Sequence, residues 1–273
     1  MSPVAPTRRA IVAGLAWSAP TIAVTTAAPA FAVSPRCLKP TAVTWNSANY
    51  QRSSEKLGTY TVADPDGAAG PLQGMTITVA NTYTGGNTSL SYQYTPPGST
   101  TNAGYNLTAA TRSPSIGGAT GPLALHQAPK DNAKKSNSLT DANKTITTFT
   151  FSQPVTSLSF SIADIDSAAS DFRDAVALVS ATPYTATIRN TATVTGKGTV
   201  STPWQAVSPT APVPNDSTNG TVDVRFAGTV KEFAIHYWNI ASASQSASNV
   251  DGDQAVFISN LQLTYDACSN PLA

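Results

Sequence analysis

The sequence KTITTFTFSQPVTSLSFSIADID spans residues 144–166 and carries the clearest structural pattern in the chain. Leu158, Phe160 and Ile162 alternate with serines, so every second side chain is apolar. A period of two places apolar side chains on one face of a β-strand and polar ones on the other. This pattern is typical of a sheet that buries one face and exposes the other to water.

The same alternation recurs along the chain, and no segment after residue 32 has the period of an amphipathic helix. We expect strands at 58–62, 75–82, 89–94, 121–126, 144–151, 156–162, 174–179, 184–194, 221–226, 232–239 and 255–265. In the last of these, the apolar residues change from even-numbered to odd-numbered positions between Ile258 and Leu261, which predicts a β-bulge near Ser259 and Asn260. Residues 95–143 are rich in Pro, Gly, Ser and Asn and are expected to be loop-rich or partly disordered.

Two segments repeat each other's apolar spacing. The matching sets are Phe151, Val155, Leu158, Phe160, Ile162 and Phe226, Val230, Phe233, Ile235, Tyr237. We interpret each as strand, four-residue turn and strand, which gives two hairpins on opposing sheets; chance alternation is the alternative. The predicted fold is an all-β, jelly-roll-like antiparallel β-sandwich with long loops, formed by residues 33–273 as a single domain.

Residues 1–32 are typical of a cleavable export signal. A weakly apolar stretch follows two arginines, and Ala30 and Ala32 form the A-x-A pattern that a signal peptidase recognises. The run TRRAIV at 7–12 resembles the twin-arginine motif, with an ordinary Sec signal as the alternative. A proline and several threonines in the stretch disfavour a transmembrane helix, which needs about 20 strongly apolar residues. We therefore expect a secreted, extracellular protein without a membrane anchor in its mature chain.

Charge excludes one class of partner. Loss of residues 1–32 reduces the 16 basic side chains to 14 against 15 acidic ones, so the mature net charge is −1. Nucleic acid is not an expected partner, because no basic surface is available for its phosphates. The acidic residues are 13 Asp and two Glu, a balance that favours turns and hard-cation sites over helices.

Cys37 and Cys268 are the only cysteines and bracket the predicted domain. In an oxidising compartment such a pair forms a disulfide, and two free buried thiols are the alternative. The bridge would close a loop of roughly 230 residues and contribute about 5 kcal/mol at most on the chain-entropy model. It also predicts that the first and last strands are neighbours.

Four aspartates near one strand end suggest a metal site. Asp164 and Asp166 end the strand at 156–162, and Asp171 and Asp174 precede the next one. Ca²⁺ binds six to eight oxygens from carboxylates, carbonyls and water, so these side chains predict a structural calcium site. Ordinary solvated turn aspartates are the alternative.

Two other D-x-D pairs carry weaker signals. Asp251 and Asp253, which precede the last strand, are a possible second group of metal ligands. The sequence Asp64-Pro65-Asp66-Gly67 is more typical of a turn.

The motif F-S-x-P-V-x-x-L-x-F at 151–160, the D-I-D at 164–166 and the D-x-V at 174–176 resemble a domain of bacterial secreted and surface proteins. The stretch QAVFISNL at 254–261, followed by a cysteine, resembles the last strand of that family. The resemblance implies a jelly-roll-like sandwich, often found on adhesins or carbohydrate-associated proteins, and no established activity.

Among the aromatic side chains that could contact a ligand (Trp45, Tyr83, Tyr92, Tyr94, Trp204, Tyr237 and Trp238), three are the preferred candidates. Trp238 is out of phase with Ile235 and Tyr237, so we expect it to face solvent and contact a ligand. Tyr92 and Tyr94 share one face of a strand and form either a stacking platform or part of the core.

Catalytic motifs are absent from the sequence: it contains no G-x-S-x-G and no H-E-x-x-H, and its two histidines, His126 and His236, are isolated. We expect His236 to be exposed. A glycosidase needs two carboxylates across a cleft, and glutamates are scarce. The predicted function is an extracellular binding or adhesion module for a glycan or cell-surface ligand, and a secreted hydrolase is the alternative.

Overall fold

The computed structural model describes residues 37–67, 70–84, 106–110, 115–127, 138–141, 144–168, 172–207, 212–240 and 255–268. The chain divides into two units, Met1–Pro35 and Arg36–Ala273, and every described residue belongs to the second. The predicted signal at 1–32 and the predicted strand at 89–94 lie outside the described residues.

The described residues form strands joined by turns and loops, and none of their segments is a helix that could span a membrane. The strands are β1 (Leu38–Val43), β2 (Tyr50–Ser54), β3 (Leu57–Val62), β4 (Met75–Tyr83), β5 (Leu123–His126), β6 (Lys144–Ala163), β7 (Arg173–Val179), β8 (Tyr184–Ile188), β9 (Val194–Thr195), β10 (Trp204–Ala206), β11 (Val222–Phe226), β12 (Val230–Ile240), β13 (Ala255–Ile258) and β14 (Leu261–Asp266). The short strands β1, β2 and β10 were not expected from the sequence.

The strands form two antiparallel layers that share β6. The first layer has the order β2-β3-β4-β6-β12-β7-β10-β9 and uses the N-terminal half of β6. The second has the order β8-β11-β6-β14-β1 and uses the C-terminal half of β6, while β13 pairs with the end of β6 and with β5. The apolar core lies between the layers. This confirms the prediction of an all-β, jelly-roll-like sandwich.

Strand β6 passes from one layer to the other without a break. It is 20 residues long, and its buried positions change from odd to even numbers around Ser157. Ser157 has a φ of 53°, and the pairing with β14 shifts register beside it, so the residue forms a β-bulge. The bulge keeps Phe149 and Leu158 in the same core although their numbers differ in parity.

The expectation of two hairpins is wrong for both segments. Residues 144–163 form one strand, because the bulge redirects the chain without reversing it. Strands β11 and β12 do not pair with each other; β11 pairs with β6 and β8, and β12 with β6 and β7. The two segments instead run antiparallel side by side, with Val155 opposite Val230. Their equal spacing arises because both segments cross from one layer to the other at the same place; we call this crossing the corner between the layers.

The two ends of the domain are joined as the cysteines predicted. Strand β1 pairs antiparallel with β14, and Cys37 and Cys268 form a disulfide with a Cα–Cα distance of 5.2 Å. The Asp266 carboxylate accepts the backbone N–H of both cysteines, at 2.9 and 3.1 Å. The strand predicted at 255–265 is two strands, β13 and β14, interrupted at residues 259–260. Between Ile258, opposite Ile162, and Gln262, opposite Ser159, the chain advances four residues against three on β6, so one extra residue lies at the predicted position of the bulge.

We expect the double variant Cys37→Ala/Cys268→Ala to lose about 2–5 kcal/mol of unfolding free energy, because the open chain gains conformational entropy when unfolded. Urea unfolding followed by tryptophan fluorescence measures the loss. Wild-type protein reduced with a dithiol serves as the control and should unfold like the variant. A variant as stable as the oxidised protein would contradict a stabilising role for the bridge.

Candidate functional site

The aspartates at the end of β6 lie at the boundary of the core. Asp164 follows the strand with a φ of 67°, so the chain turns at this residue. The turn is held by the N–H of Ile165, which donates to the carbonyl of Gly220 at 3.0 Å. The next aspartate, Asp166, is 7% exposed, and Asp174 on β7 is fully buried.

Protein donors already bind the two buried carboxylates. Asp166 Oδ2 accepts the N–H of Val213 at 2.7 Å. Asp174 Oδ1 accepts the hydroxyl of Tyr237 at 2.7 Å, and its Oδ2 accepts the N–H of Asp166 at 3.3 Å. The side chains of β7 and β12 therefore hold the chain after β6 in place through polar contacts inside an apolar environment.

Burial controls the charge of this pair. It raises the pKa of Asp166 from 3.8 to about 6, and the Val213 N–H opposes the rise. Burial also raises the pKa of Asp174 well above its usual range, and the charge of Asp166 adds to this effect. In metal-free protein these carboxyls therefore favour the protonated form far more than a solvated aspartate does.

The structure leaves the calcium prediction untested. Among the described residues, Asp164, Asp166 and Asp174 do not form a group whose oxygens lie within 4.8 Å of one another. The group whose ligand atoms do lie this close together is Cys37, Asp266 and Cys268. The sulfurs of its two cysteines are already bonded to each other in the disulfide. Three further predicted ligands, Asp171, Asp251 and Asp253, lie outside the described residues. Calcium at the end of β6 stays a prediction.

The expectation that Trp238 faces solvent is wrong. Its side chain is 2% exposed and packs with Ala175, Ala177 and Ile240 on the outer face of the first layer. The indole N–H donates to the carbonyl of Thr140 at 3.1 Å, and Lys144 Nζ lies over the ring, 5.6 Å from its centroid. Parity placed Trp238 outside the main core correctly, but alternation could not show that another segment covers that face.

His236, which was expected to be exposed, is half-buried, with its ring centroid 5.9 Å from that of Trp238. Tyr92 and Tyr94 lie outside the described residues, so their predicted role as a stacking platform is untested.

A second candidate site lies on the outer face of the second layer, where an open groove has a volume of about 460 Å³. Its floor is formed by two rows of polar side chains that cross neighbouring strands. The first row is Thr187, Asp223, Ser161 and Ser259, and the second is Thr185, Arg225, Ser159 and Gln262. Residues directly opposite on paired strands share one face of the sheet, so the seven of these side chains that belong to strands point to the same side. Ser259 follows β13, and its hydroxyl accepts the backbone N–H of Ser161 at 2.8 Å.

Hydrogen bonds pre-arrange one end of the groove. Arg189 binds Asp223 through two contacts, from Nε to Oδ2 at 2.9 Å and from Nη2 to Oδ1 at 2.8 Å. The Ser161 hydroxyl donates to the same carboxylate at 2.6 Å. The hydrogen bond from Arg189 lowers the pKa of Asp223, so this carboxylate is ionised at neutral pH. The groove therefore presents fixed donors and acceptors.

Sequence reasoning missed the groove although its signal was present. The alternation predicts only that the serines between Leu158, Phe160 and Ile162 lie on the water-facing side of a strand. Which polar faces of separate strands become neighbours depends on strand order, and alternation carries no information about that order. The resulting combination of hydroxyls, an amide, a carboxylate and a guanidinium suits a ligand rich in hydroxyl groups.

The buried aspartate pair predicts an unusual pH dependence in metal-free protein. Because the folded-state pKa of Asp166 is raised from 3.8 to about 6, the folded state binds the proton more tightly than the unfolded state. Asp166 contributes fully to the stability of the folded state below pH 3.8, and this contribution is lost as the pH rises through about 6. Asp166→Asn retains an acceptor for Val213 without a titrating proton. Near neutral pH we expect the variant to be more stable than wild type by roughly 2–3 kcal/mol, and near pH 4 to be equal.

Urea unfolding of both proteins across this pH range measures the difference, and a difference independent of pH would contradict the prediction.

Thermal melting with millimolar Ca²⁺ and with chelator tests the calcium prediction. A bound cation favours ionised carboxylates, so wild-type protein should melt at a higher temperature and Asp164→Asn/Asp166→Asn should not respond. Identical melting of wild-type protein with Ca²⁺ and with chelator would reject the calcium site.

Comparison with known proteins adds no constraint on function. No protein-family model matches the chain, and no curated protein or solved structure is significantly similar to it. The resemblance to domains of bacterial secreted and surface proteins therefore stays a prediction from the motifs at 149–176 and 254–268. The groove and the buried aspartates are the features of the structure that bear on function.

Proposed function

We propose that the chain is an exported, non-enzymatic binding or adhesion protein that binds a saccharide or cell-surface ligand in the groove of the second layer. The observation that carries this proposal is the pair of polar rows crossing β8, β11, β6 and the β13–β14 region. The exposed members of the rows, Thr185, Thr187, Arg225 and Gln262, offer donors and acceptors to solvent, which matches the repeated hydroxyl groups of a saccharide.

The dimensions of the rows support a ligand larger than one sugar. Strands in a sheet are about 4.8 Å apart, so a row across four strands extends about 14 Å. Residues two apart along a strand are separated by about 6.6 Å, which is the distance between the rows. A surface of this size can accommodate two or three linked sugar units, and its open sides allow a longer chain to continue.

The rigidity of the groove supports binding. Serines 159 and 161 belong to the central strand β6, which has paired neighbours on both sides. The contacts of Arg189 and Ser161 with Asp223 order a further side chain before any ligand arrives. Side chains that are already ordered lose less conformational entropy on binding.

The disulfide agrees with the proposed location. Cys37 and Cys268 are paired, and such bonds persist mainly in oxidising compartments outside the cytosol. Together with the twin-arginine-type signal predicted at 1–32, this favours export of the protein. The predicted calcium ion would be a structural cofactor at the end of β6, separate from the residues that form the groove.

The hydrolase alternative receives less support from the groove. Among the described residues that line the groove, Asp223 is the one carboxylate, and its hydrogen bond with Arg189 lowers its pKa. Acid catalysis of glycoside cleavage instead needs a carboxyl group with a raised pKa, paired with a second carboxylate. The geometry of this groove therefore favours binding over cleavage.

A glycan array tests the proposal with residues 33–273 as wild type and as Gln262→Ala/Thr187→Val. Both substituted side chains are exposed in the groove. Loss of two neutral hydrogen bonds at about 1 kcal/mol each should weaken binding by roughly 30-fold. The matched control is Gln51→Ala/Thr61→Val, which removes the same groups from exposed positions on β2 and β3 and should bind like wild type.

Two outcomes would contradict the proposal. Glycan binding that both double variants retain would place the ligand outside the groove. Absence of array binding together with turnover of chromogenic glycosides or esters would favour the hydrolase alternative.

A further inference from the structure

We infer that the groove selects an anionic saccharide and that the guanidinium of Arg225 binds the carboxylate or sulfate group of this ligand. The inference rests on the proposed function and names its ligand class. It follows from the distribution of charge along the two polar rows.

The charges of the groove do not balance. Asp223 and Arg189 neutralise each other through two contacts of 2.8 and 2.9 Å. Within the described ranges, the remaining salt bridge joins Lys144 to Asp141, so Arg225 has no carboxylate partner there. Arg225 is exposed on the groove floor, and the groove therefore carries one uncompensated positive charge.

Arg225 occupies a central place in its row. It lies opposite Thr185 on β8 and opposite Ser159 on β6, and Gln262 follows on β14. A guanidinium offers two parallel N–H donors to a carboxylate or sulfate, while hydroxyl and amide groups bind uncharged sugar hydroxyls. The row therefore provides one anion position flanked by neutral hydrogen-bonding positions, which fits one acidic group of a saccharide together with the hydroxyl groups beside it.

The rest of the molecule restricts this attraction to the groove. The mature chain has a net charge of −1, so it does not attract polyanions through its overall field. Recognition of an acidic ligand must then come from a local contact, and Arg225 is the residue placed to supply it. A charge-assisted hydrogen bond contributes about 1.5–3 kcal/mol, which corresponds to roughly 10-fold to 100-fold in affinity.

The test measures binding of the mature protein to polygalacturonate, dextran sulfate and uncharged dextran by biolayer interferometry. Wild type is compared with Arg225→Gln and with Lys197→Gln, which removes one positive charge from an exposed residue that does not line the groove. We expect wild type to bind an anionic polymer more tightly than dextran. Arg225→Gln should lose at least 10-fold for the anionic polymer, and Lys197→Gln should change less than 2-fold.

Each other outcome overturns the inference in a distinct way. Equal losses in both variants would show diffuse charge attraction instead of recognition at Arg225. Wild-type binding to dextran as strong as to the anionic polymers, with no effect of Arg225→Gln and a loss in Gln262→Ala/Thr187→Val, would reject the anionic ligand and retain the groove as a saccharide site. Absence of binding to these polymers, together with a glycan array without signal, would reject the proposed function as well.

Discussion

The packing of Phe233 between the two layers is the contact on which the rest of the sandwich depends. Its ring stacks on Phe149 in the first layer, with centroids 4.7 Å apart, and on Phe160 in the second, at 5.0 Å. Phe226 also contacts it, at 5.7 Å. Aromatic pairs of this kind contribute about 0.5–1.5 kcal/mol each beyond the area they bury. One side chain thus joins the strands that turn the corner between the layers.

That corner also creates the proposed binding surface. The bulge at Ser157 changes which side chains of β6 point inwards, so Phe160 enters the core while Ser159 and Ser161 face the groove. Without the change in parity, the second half of β6 would bury its serines and expose its apolar side chains. The same backbone irregularity therefore completes the core and supplies the centre of the polar floor.

The buried aspartates impose a different constraint at the far end of β6. Asp174 lies beside Tyr237 within the core, where a charged carboxylate is costly unless donors or a cation compensate it. The hydrogen bonds from Tyr237 and Asp166 provide part of that compensation. The protonation of this pair therefore links the position of the chain after β6 to pH, and a cation would reverse the direction of that link.

The sequence by itself determined the fold class, most strand positions, the terminal disulfide and the bulge at residues 259–260, because alternation and cysteine placement are local properties of the chain. It did not determine strand order, so β6 was interpreted as a hairpin and the groove rows on separate strands were not brought together. The contact of the Trp238 indole with Thr140 likewise joins two residues that are 98 positions apart in sequence. Only the tertiary structure decides which faces meet, because those contacts join residues whose local patterns are independent of one another.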